Sequence, residues 1–208
     1  MTRYRRTVIV ATLLLLGGCA SAPEGTGAAP AVPAPAPTGS AVPAPADATG
    51  AFNEADVMFL QMMVTHHGQG LELVRLVESR ARRTEVKTLA AAIDVTQDAE
   101  RETMRDWLSG WGRSTSADPD VHAHADHGGM PATGPEQIAA LARTTGTEFE
   151  TAFLNLLIAH QHNAVEMARV ETRSGTHAGA LDLARRIDLS RTAQINQMLA
   201  LLPPATLR

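Results

Sequence analysis

The sequence predicts an all-α protein, a four-helix bundle built from two tandem helical hairpins. Apolar residues recur at steps of three and four in four long segments, and no segment has the alternating pattern of a strand. In addition, a shift of 94 residues brings two histidine-bearing stretches into register, with His66 on His160 and Met104 on Met198. A repeat of this kind means that each copy is one unit, and two helical hairpins bury most apolar surface by packing together.

The chain begins with a segment that is typical of an export signal. Basic residues at Arg3–Arg6 precede an apolar run that is too short for a stable membrane span, and Leu16-Gly17-Gly18-Cys19 resembles a lipoprotein cleavage site. We therefore expect residues 1–18 to be a lipoprotein signal peptide and Cys19 to be lipidated. The mature protein would then be anchored to the outer face of the cytoplasmic membrane.

The rest of the chain divides by composition. Residues 19–51 are rich in Pro and Ala, cannot form a core, and predict an extended tether. Residues 52–204 suit one duplicated bundle domain, with copies at about 53–111 and 147–202. A loop at 112–133, rich in His, Gly and Asp, separates the two copies.

Charge and cysteine content exclude two classes of protein. The formal net charge is −4, aromatic residues make up 3% of the chain, and there is no basic block, so nucleic-acid binding is not expected. Cys19 is the single cysteine, which rules out a disulfide framework within one chain. Metal ions and a lipid anchor are the expected partners, with a homo-oligomer or a metal-delivery partner left open.

The first predicted helix begins after Asn53, a good N-cap residue with Asp56 three positions later. The second predicted helix runs from about Thr84 to Leu108, and its apolar stripe includes Thr96, Glu100 and Thr103. The later elements are a short helix from Pro135 to about Arg143, a helix from about Thr147 to Arg173, and a last helix from about His177 to Leu202. His177, near a helix start, is expected at the surface.

Histidine and methionine recur together on the first helix of each copy. Met62 and His66 lie one helical turn apart, as do Met63 and His67, so that a thioether and an imidazole can approach one ion from one helix. The matching candidates in the second copy are His160, His162 and Met167, and those in the loop are His124, His127 and Met130. Glu100 and Glu166 are candidates for orienting a histidine, and a salt bridge from Glu100 to an arginine is the alternative.

This donor set favours copper. Thioether and imidazole without thiolate suit copper, and methionine biases the site towards Cu(I). A zinc site more often contains cysteine or a tight set of His and carboxylate ligands. A ferritin-type di-iron centre needs Glu-x-x-His, which this chain lacks, and haem attachment through Cys-x-x-Cys-His is absent as well.

The same motifs resemble domain of unknown function 305. They are Phe59-Leu60-x-x-Met63-Val64-x-His66-His67, Gln97-x-x-Glu100-x-x-x-Met104, Gly129-Met130 and Phe153-Leu154-x-x-Leu157-Ile158-x-His160-Gln161-x-x-Ala164-x-x-Met167-Ala168. The resemblance implies a ferritin-like helical bundle, export, and copper binding through Met and His. The chain departs from the family pattern in having Gln161 in place of a second His, and Arg191 and Gln194 in place of Gln and Glu.

The leading hypothesis is therefore a membrane-tethered, extracytoplasmic metal-binding protein that sequesters or transfers copper without catalysing a reaction. One alternative is a ferritin-like, metal-dependent oxidase, which requires redox turnover at the same site. A second alternative is a structural or partner-binding envelope protein, in which the histidines are core or surface residues.

Overall fold

The computed structural model describes residues 49–117 and 133–203, and every regular element in these two ranges is a helix. The helices are α1 (Glu54–Arg75), α2 (Val77–Arg80), α3 (Thr84–Gly110), α4 (Pro135–Leu141), α5 (Gly146–Ser174) and α6 (Ala178–Leu201). The predicted all-α four-helix bundle is confirmed, with α1, α3, α5 and α6 as its long helices.

Helix α1 begins where the sequence predicts. Asn53 accepts a hydrogen bond from the backbone N–H of Asp56 at 3.0 Å, and Asp56 accepts one from the backbone N–H of Asn53 at 2.7 Å. This reciprocal capping box satisfies two donors that the first helical turn leaves without partners. The predicted first helix is nevertheless divided, because the chain turns at Leu76 before α2 continues it for four residues.

The two helical hairpins pack through their first helices. Helix α3 packs along α1, α6 packs along α5, and α1 contacts α5 between the two pairs. Asn53, the N-cap of α1, lies beside the C-terminal end of α5. Its side chain donates a hydrogen bond to the carbonyl of Ser174 at 2.9 Å. Helices α1 and α5 are therefore antiparallel. No helix of the described ranges is long and apolar enough to cross a membrane.

Two equivalent carboxylates fasten the hairpins to each other. Asp56 in the first turn of α1 accepts hydrogen bonds from the backbone N–H groups of Thr176 and His177, at 3.1 and 2.9 Å. Glu150, 94 positions later near the start of α5, accepts them from the backbone N–H groups of Arg82 and Arg83, at 2.5 and 2.8 Å. Each hairpin thus supplies an acid that binds the backbone just before the second long helix of the other hairpin, which gives the bundle an approximate two-fold relation.

His177 differs from its predicted place at the surface. It is only 2% exposed, and its Nδ1 accepts a hydrogen bond from the backbone N–H of Ala180 at 3.2 Å. Its ring also packs edge-on against Trp107 and Trp111. The prediction was wrong because the position before a helix was judged without the side chains that cover it, and here His177 is the N-cap of α6.

The core consists of two apolar clusters. One contains the first part of α1 with the last part of α3, and the other contains the last part of α1 with the first part of α3; α5 and α6 contribute to both. The buried polar residues of the long helices' middle turns fall between the two clusters along each helix. We call this set, together with the half-buried Gln194, the polar layer, and its buried members are His66, His67, Gln97, Glu100, His160, Gln161 and Arg191.

The buried face of α3 differs from the predicted stripe at two positions, whereas Glu100 is buried as predicted. Gln97 and Met104 are fully buried, whereas Thr96 and Thr103, which were assigned to the stripe, are half-buried. Both threonines instead donate hydroxyl hydrogen bonds to the carbonyls four residues earlier in α3. The cause is local, since a threonine on a helix can satisfy its hydroxyl within its own helix and does not need a core partner.

Several predicted features lie outside the described residues. They are the signal peptide at 1–18, the lipidation site Cys19, most of the tether at 19–51, and the loop candidates His124, His127 and Met130. These remain predictions.

Candidate metal site

His66 and His160 meet in the polar layer where α1 crosses α5. Their rings are stacked, with centroids 3.6 Å apart and planes inclined by 14°. His66 is 1% exposed and His160 is fully buried. The repeat therefore does bring its two equivalent histidines together, as the sequence predicts, and it places them in the interior of the bundle.

Hydrogen bonds orient both rings of this pair, and on His66 they also set the position of the proton. His66 donates from Nε2 to the backbone carbonyl of His160 at 3.0 Å, which leaves its Nδ1 as an unprotonated nitrogen in the neutral ring. His160 Nδ1 lies 2.9 Å from the hydroxyl of Thr133, a buried residue just before α4. Thr133 fixes the orientation of the ring, and His160 Nε2 is left without a protein partner.

Gly70 allows the close approach of the helices at this point. A Cβ atom at Gly70 would lie 2.2 Å from Gln97 Oε1 and 2.9 Å from His160 Nε2, closer than packed atoms come. The structure assigns the space at Gly70 to the side chains of Gln97 and His160.

His67 and Glu100 form the ionic half of the layer with Arg191. His67 Nε2 donates to Glu100 Oε2 at 2.8 Å, and Arg191 Nη2 donates to the same carboxylate oxygen. Arg191 Nη2 also lies 3.4 Å from His67 Nε2. Both alternatives considered for Glu100 are therefore present at once, because this carboxylate orients a histidine and pairs with an arginine.

The other half of the layer has the same arrangement without charge. Gln161 donates to Gln194 at 2.6 Å, at the positions equivalent to His67 and Glu100. Gln97, which is equivalent to Arg191, donates to Gln161 at 3.5 Å, as Arg191 approaches His67. The departures from the family pattern at residues 161 and 194 thus contact each other, whereas the departure at Arg191 lies in the ionic half, against Glu100.

The buried imidazoles are neutral at physiological pH. Burial, together with the neighbouring His160 and His67 rings, lowers the pKa of His66 well below its usual value. Burial, aided by the charges of His67 and Arg191, lowers the pKa of His160 to about 3. Burial also lowers the pKa of His67, although Glu100 opposes it. A neutral imidazole is the form that binds a metal ion.

Glu100 remains charged in this environment. Burial by itself would raise the pKa of Glu100, but the guanidinium of Arg191 and the hydrogen bond from His67 outweigh it and hold that pKa below its usual value. The layer therefore carries one buried negative charge beside one buried positive charge.

Three buried imidazole nitrogens in the layer have no hydrogen-bond partner. They are His66 Nδ1, His67 Nδ1 and His160 Nε2, and Gln97 Oε1 and Arg191 Nε are also without one. In residues 49–117 and 133–203, however, no three His, Cys, Asp or Glu side chains converge as ligands of one ion. Stacked rings hold their nitrogen lone pairs in near-parallel planes, so a shared ion requires at least one ring to turn.

The predicted methionine ligands lie in the apolar cluster next to the layer. Met62, Met63 and Met167 are 2%, 0% and 6% exposed. Met62 and Met167 line one narrow cavity with Phe59 and Glu171, a turn or more from the imidazoles along their helices. Met63 lies one turn from His67 on α1, so that it is close along the helix to the unpartnered nitrogens.

Two predicted site residues do not join this group. His162 is exposed, and the neighbouring position that turns inward is Gln161. Glu166 is exposed and pairs with Arg169 at 3.3 Å, so it orients no histidine. The rotation of α5 about its axis places His160, Gln161 and Ala164 on its buried face, so that His162 and Glu166 face away from the layer.

Sequence reasoning missed the roles of Thr133 and Arg191. The shift of 94 residues pairs Arg191 with Gln97, which points to the polar layer once Gln97 is known to be buried. For Thr133 there was no such signal, because it has no counterpart in the repeat.

The chain matches the family model of "Domain of unknown function (DUF305)" over residues 56–202. A crystal structure of a DUF305 protein from Streptomyces coelicolor is similar with a TM-score of 0.66 and 28% identity, covering 71% of this chain and 91% of that one. CopM in its Cu(I)-bound form is similar with a TM-score of 0.60 and 26% identity, covering 70% and 94%. The Ag-bound form of CopM obtained by soaking gives a TM-score of 0.57 at 26% identity, covering 70% and 93%. No curated protein sequence matches this chain.

Proposed function

Since this chain belongs to the DUF305 family, we propose that it is an extracytoplasmic, membrane-tethered protein that binds copper, with preference for Cu(I), and sequesters or transfers it. One observation carries the proposal. Three buried imidazoles share a layer, and each keeps one nitrogen without a hydrogen-bond partner. Buried polar atoms almost always find partners, so three unpartnered nitrogens in one place indicate a ligand.

The protonation state of the layer supports binding. An imidazole must be neutral before it can ligate a metal, and burial lowers the pKa values of His66, His67 and His160. Glu100 accepts a hydrogen bond from the Nε2–H group of His67 and so leaves the opposite nitrogen of the ring free. A carboxylate that orients a histidine in this way is common behind metal ligands.

The type of donor supports copper. Cys19 is the single cysteine in the sequence, so soft donors within the bundle can come only from methionine. Met63 is buried one turn from His67, and imidazole with thioether suits Cu(I). CopM, which shares 26% identity with this chain, has been solved with Cu(I), with Cu(II) and with Ag.

The carboxylates support storage or transfer over catalysis. Ferritin-like oxidases hold their metals with several inward carboxylates. In the polar layer described above, Glu100 is the one carboxylate, and it is engaged by His67 and Arg191. We therefore place a bound ion as cargo, held by neutral ligands.

The location rests on the first part of the chain. The basic start, the short apolar run and the sequence before Cys19 favour export and lipidation, and the Pro/Ala-rich tether would hold the bundle away from the membrane surface. Such a protein would meet copper outside the cytoplasm.

Titration of the mature chain with Cu(I) under reducing conditions tests the function. The double variant His66→Gln, His160→Gln should lose at least a hundredfold in affinity, because both unpartnered nitrogens of the stack are removed. His162→Gln is the matched control, since it removes an exposed imidazole from the same helix and should bind as the wild type does. Equal affinities in the wild type and the double variant would contradict the proposal.

A further inference from the structure

Arg191 places a full positive charge inside the polar layer. It is 0% exposed, and its guanidinium contacts Glu100 and approaches His67 Nε2 to 3.4 Å. The equivalent position in the other half of the bundle holds Gln97, which is neutral. The charge is therefore an addition to one half of a nearly symmetric set of contacts.

The fold does not need this ion pair. In the other half, Gln97, Gln161 and Gln194 link the same positions through amide hydrogen bonds. A buried ion pair loses its hydration, and neutral groups of similar size often serve stability equally well. Stability therefore calls for an arginine at position 191 only because Glu100 is charged.

The net charge of the polar layer affects how strongly the layer binds a cation. Glu100 and Arg191 compensate each other, so the charge of any bound cation is not balanced within the layer. The unpartnered Nδ1 of His67 lies across its ring from the nitrogen that Arg191 approaches. The carboxylate of Glu100 lies 2.8 Å from the same nitrogen and would by itself attract such an ion, twice as strongly for a divalent ion as for a monovalent one. The guanidinium of Arg191, 3.4 Å from that nitrogen, opposes this attraction.

We propose that Arg191 makes the imidazole site selective for singly charged soft cations over doubly charged ones. The guanidinium opposes a divalent ion twice as strongly as a monovalent one, so it lowers the affinity for the divalent ion more. This inference rests on the proposed function, because it concerns the ion that the same imidazoles bind.

The test compares two redox-stable probes, Ag(I) and Zn(II), on the mature chain. Affinities for both are measured in the wild type and in Arg191→Gln, and their ratio gives the selectivity. Arg191→Lys keeps the charge, and Arg185→Gln removes an exposed arginine from the same helix. The double variant Glu100→Gln, Arg191→Gln copies the neutral half of the layer and provides a variant that should fold if Arg191→Gln does not.

Arg191→Gln should lower the ratio of Ag(I) to Zn(II) affinity by at least tenfold, with Zn(II) gaining more than Ag(I). The double glutamine variant should keep the ratio within threefold of the wild type, because the carboxylate and the guanidinium that compensate each other are removed together. Arg191→Lys and Arg185→Gln should stay within threefold of the wild type. Adding His66→Gln and His160→Gln to Arg191→Gln should abolish the gain in Zn(II) binding, which locates the gain at the imidazoles.

A ratio within threefold of the wild type in Arg191→Gln would overturn the inference, and so would a double glutamine variant whose ratio shifts as far as that of Arg191→Gln. Wild-type protein that binds Zn(II) as tightly as Ag(I) at the imidazoles would also overturn it and leave the metal-binding function intact. Wild-type protein whose binding of both probes is unaffected by His66→Gln, His160→Gln would overturn the function and the inference together.

Discussion

His66 and His160 are equivalent residues of the repeat, and they contact each other directly, with ring centroids 3.6 Å apart. In a two-fold arrangement, a residue can touch its own equivalent only if both lie next to the axis. The approximate two-fold axis of the bundle therefore passes between these two rings. The metal candidates of the two hairpins converge for this reason.

The stability of the bundle should fall in acid. The pKa values of His66, His67 and His160 are lowered on folding, so the unfolded chain takes up protons at a higher pH than the folded one. Stability therefore decreases as the pH falls below about 6.5, by up to about 1.4 kcal/mol per pH unit for each imidazole that is still neutral in the folded protein, and for His160 this continues to about pH 3.

Urea unfolding at a series of pH values between 7 and 4 measures this effect. His67→Gln should show a weaker pH dependence, because it replaces one titrating ring by the residue that the other half holds as Gln161. An identical pH slope in this variant would show that His67 is not buried in neutral form.

Thr133→Val should weaken metal binding by roughly tenfold. The Thr133 hydroxyl lies 2.9 Å from His160 Nδ1, and loss of a group that orients a ligating histidine commonly costs 10- to 100-fold in affinity. Calorimetric titration with Ag(I) measures the change. Thr172→Val is the control, since the hydroxyl of Thr172 bonds only to the carbonyl of Ala168 in its own helix. Unchanged affinity in Thr133→Val would remove Thr133 from the site.

Gly70→Ala and Gly68→Ala should act in opposite directions. A Cβ at Gly70 would collide with Gln97 and His160, whereas one at Gly68 has no heavy atom within 4 Å. Gly68→Ala should raise the free energy of unfolding by about 0.5–1 kcal/mol through helix propensity. Gly70→Ala should lower it by about 1–3 kcal/mol because the collision outweighs the same propensity gain.

Chemical denaturation of the two glycine variants provides the comparison. Metal titration adds a second measure, since Gly70→Ala should displace His160 and reduce affinity while Gly68→Ala leaves it unchanged. A stabilised Gly70→Ala with normal affinity would mean that the helices do not approach as closely as described.

Asp56→Ala and Glu150→Ala should each destabilise the bundle by about 2 kcal/mol. Each removes a carboxylate that accepts backbone N–H groups at the start of the opposite hairpin's second long helix. The antiparallel packing of α1 and α5 places the two carboxylates at opposite ends of the bundle. The double variant should therefore show the sum of the two losses in thermal or urea unfolding, and strong non-additivity would argue against independent caps.

Glu171→Gln should stabilise the protein at alkaline pH. Glu171 is 1% exposed, and burial together with its contact to Asp56 raises its pKa to about 9. The folded chain thus holds a proton that the unfolded chain releases above about pH 4.5, so stability falls as the pH rises from there to 9. A glutamine keeps a neutral donor beside Asp56 and should gain about 1–3 kcal/mol at pH 8, with little change at pH 4. Lower stability of this variant at pH 8 would show that Glu171 is ionised in the folded protein.

Much of this arrangement could be predicted from local patterns. Asn53 with Asp56 predicted the start of α1, because a capping box involves residues that are neighbours in the chain. The shift of 94 residues predicted that His66 and His160 would meet, because two copies of one unit pack about an axis. The sequence could not show that Arg191 reaches Glu100, since these residues belong to different hairpins and their contact depends on side-chain direction.

The sequence by itself determined the helical class, the duplication and the types of donor atom, because periodicity and composition are properties of the chain alone. Only the tertiary structure decided that Gln161 and not His162 turns inward, that Thr133 holds His160, and that Arg191 brings a positive charge beside the imidazoles. Those outcomes depend on the rotation of each helix about its axis and on the contacts between the hairpins. The packing of the two apolar clusters around the polar layer sets both, and it brings together residues that are far apart in the chain.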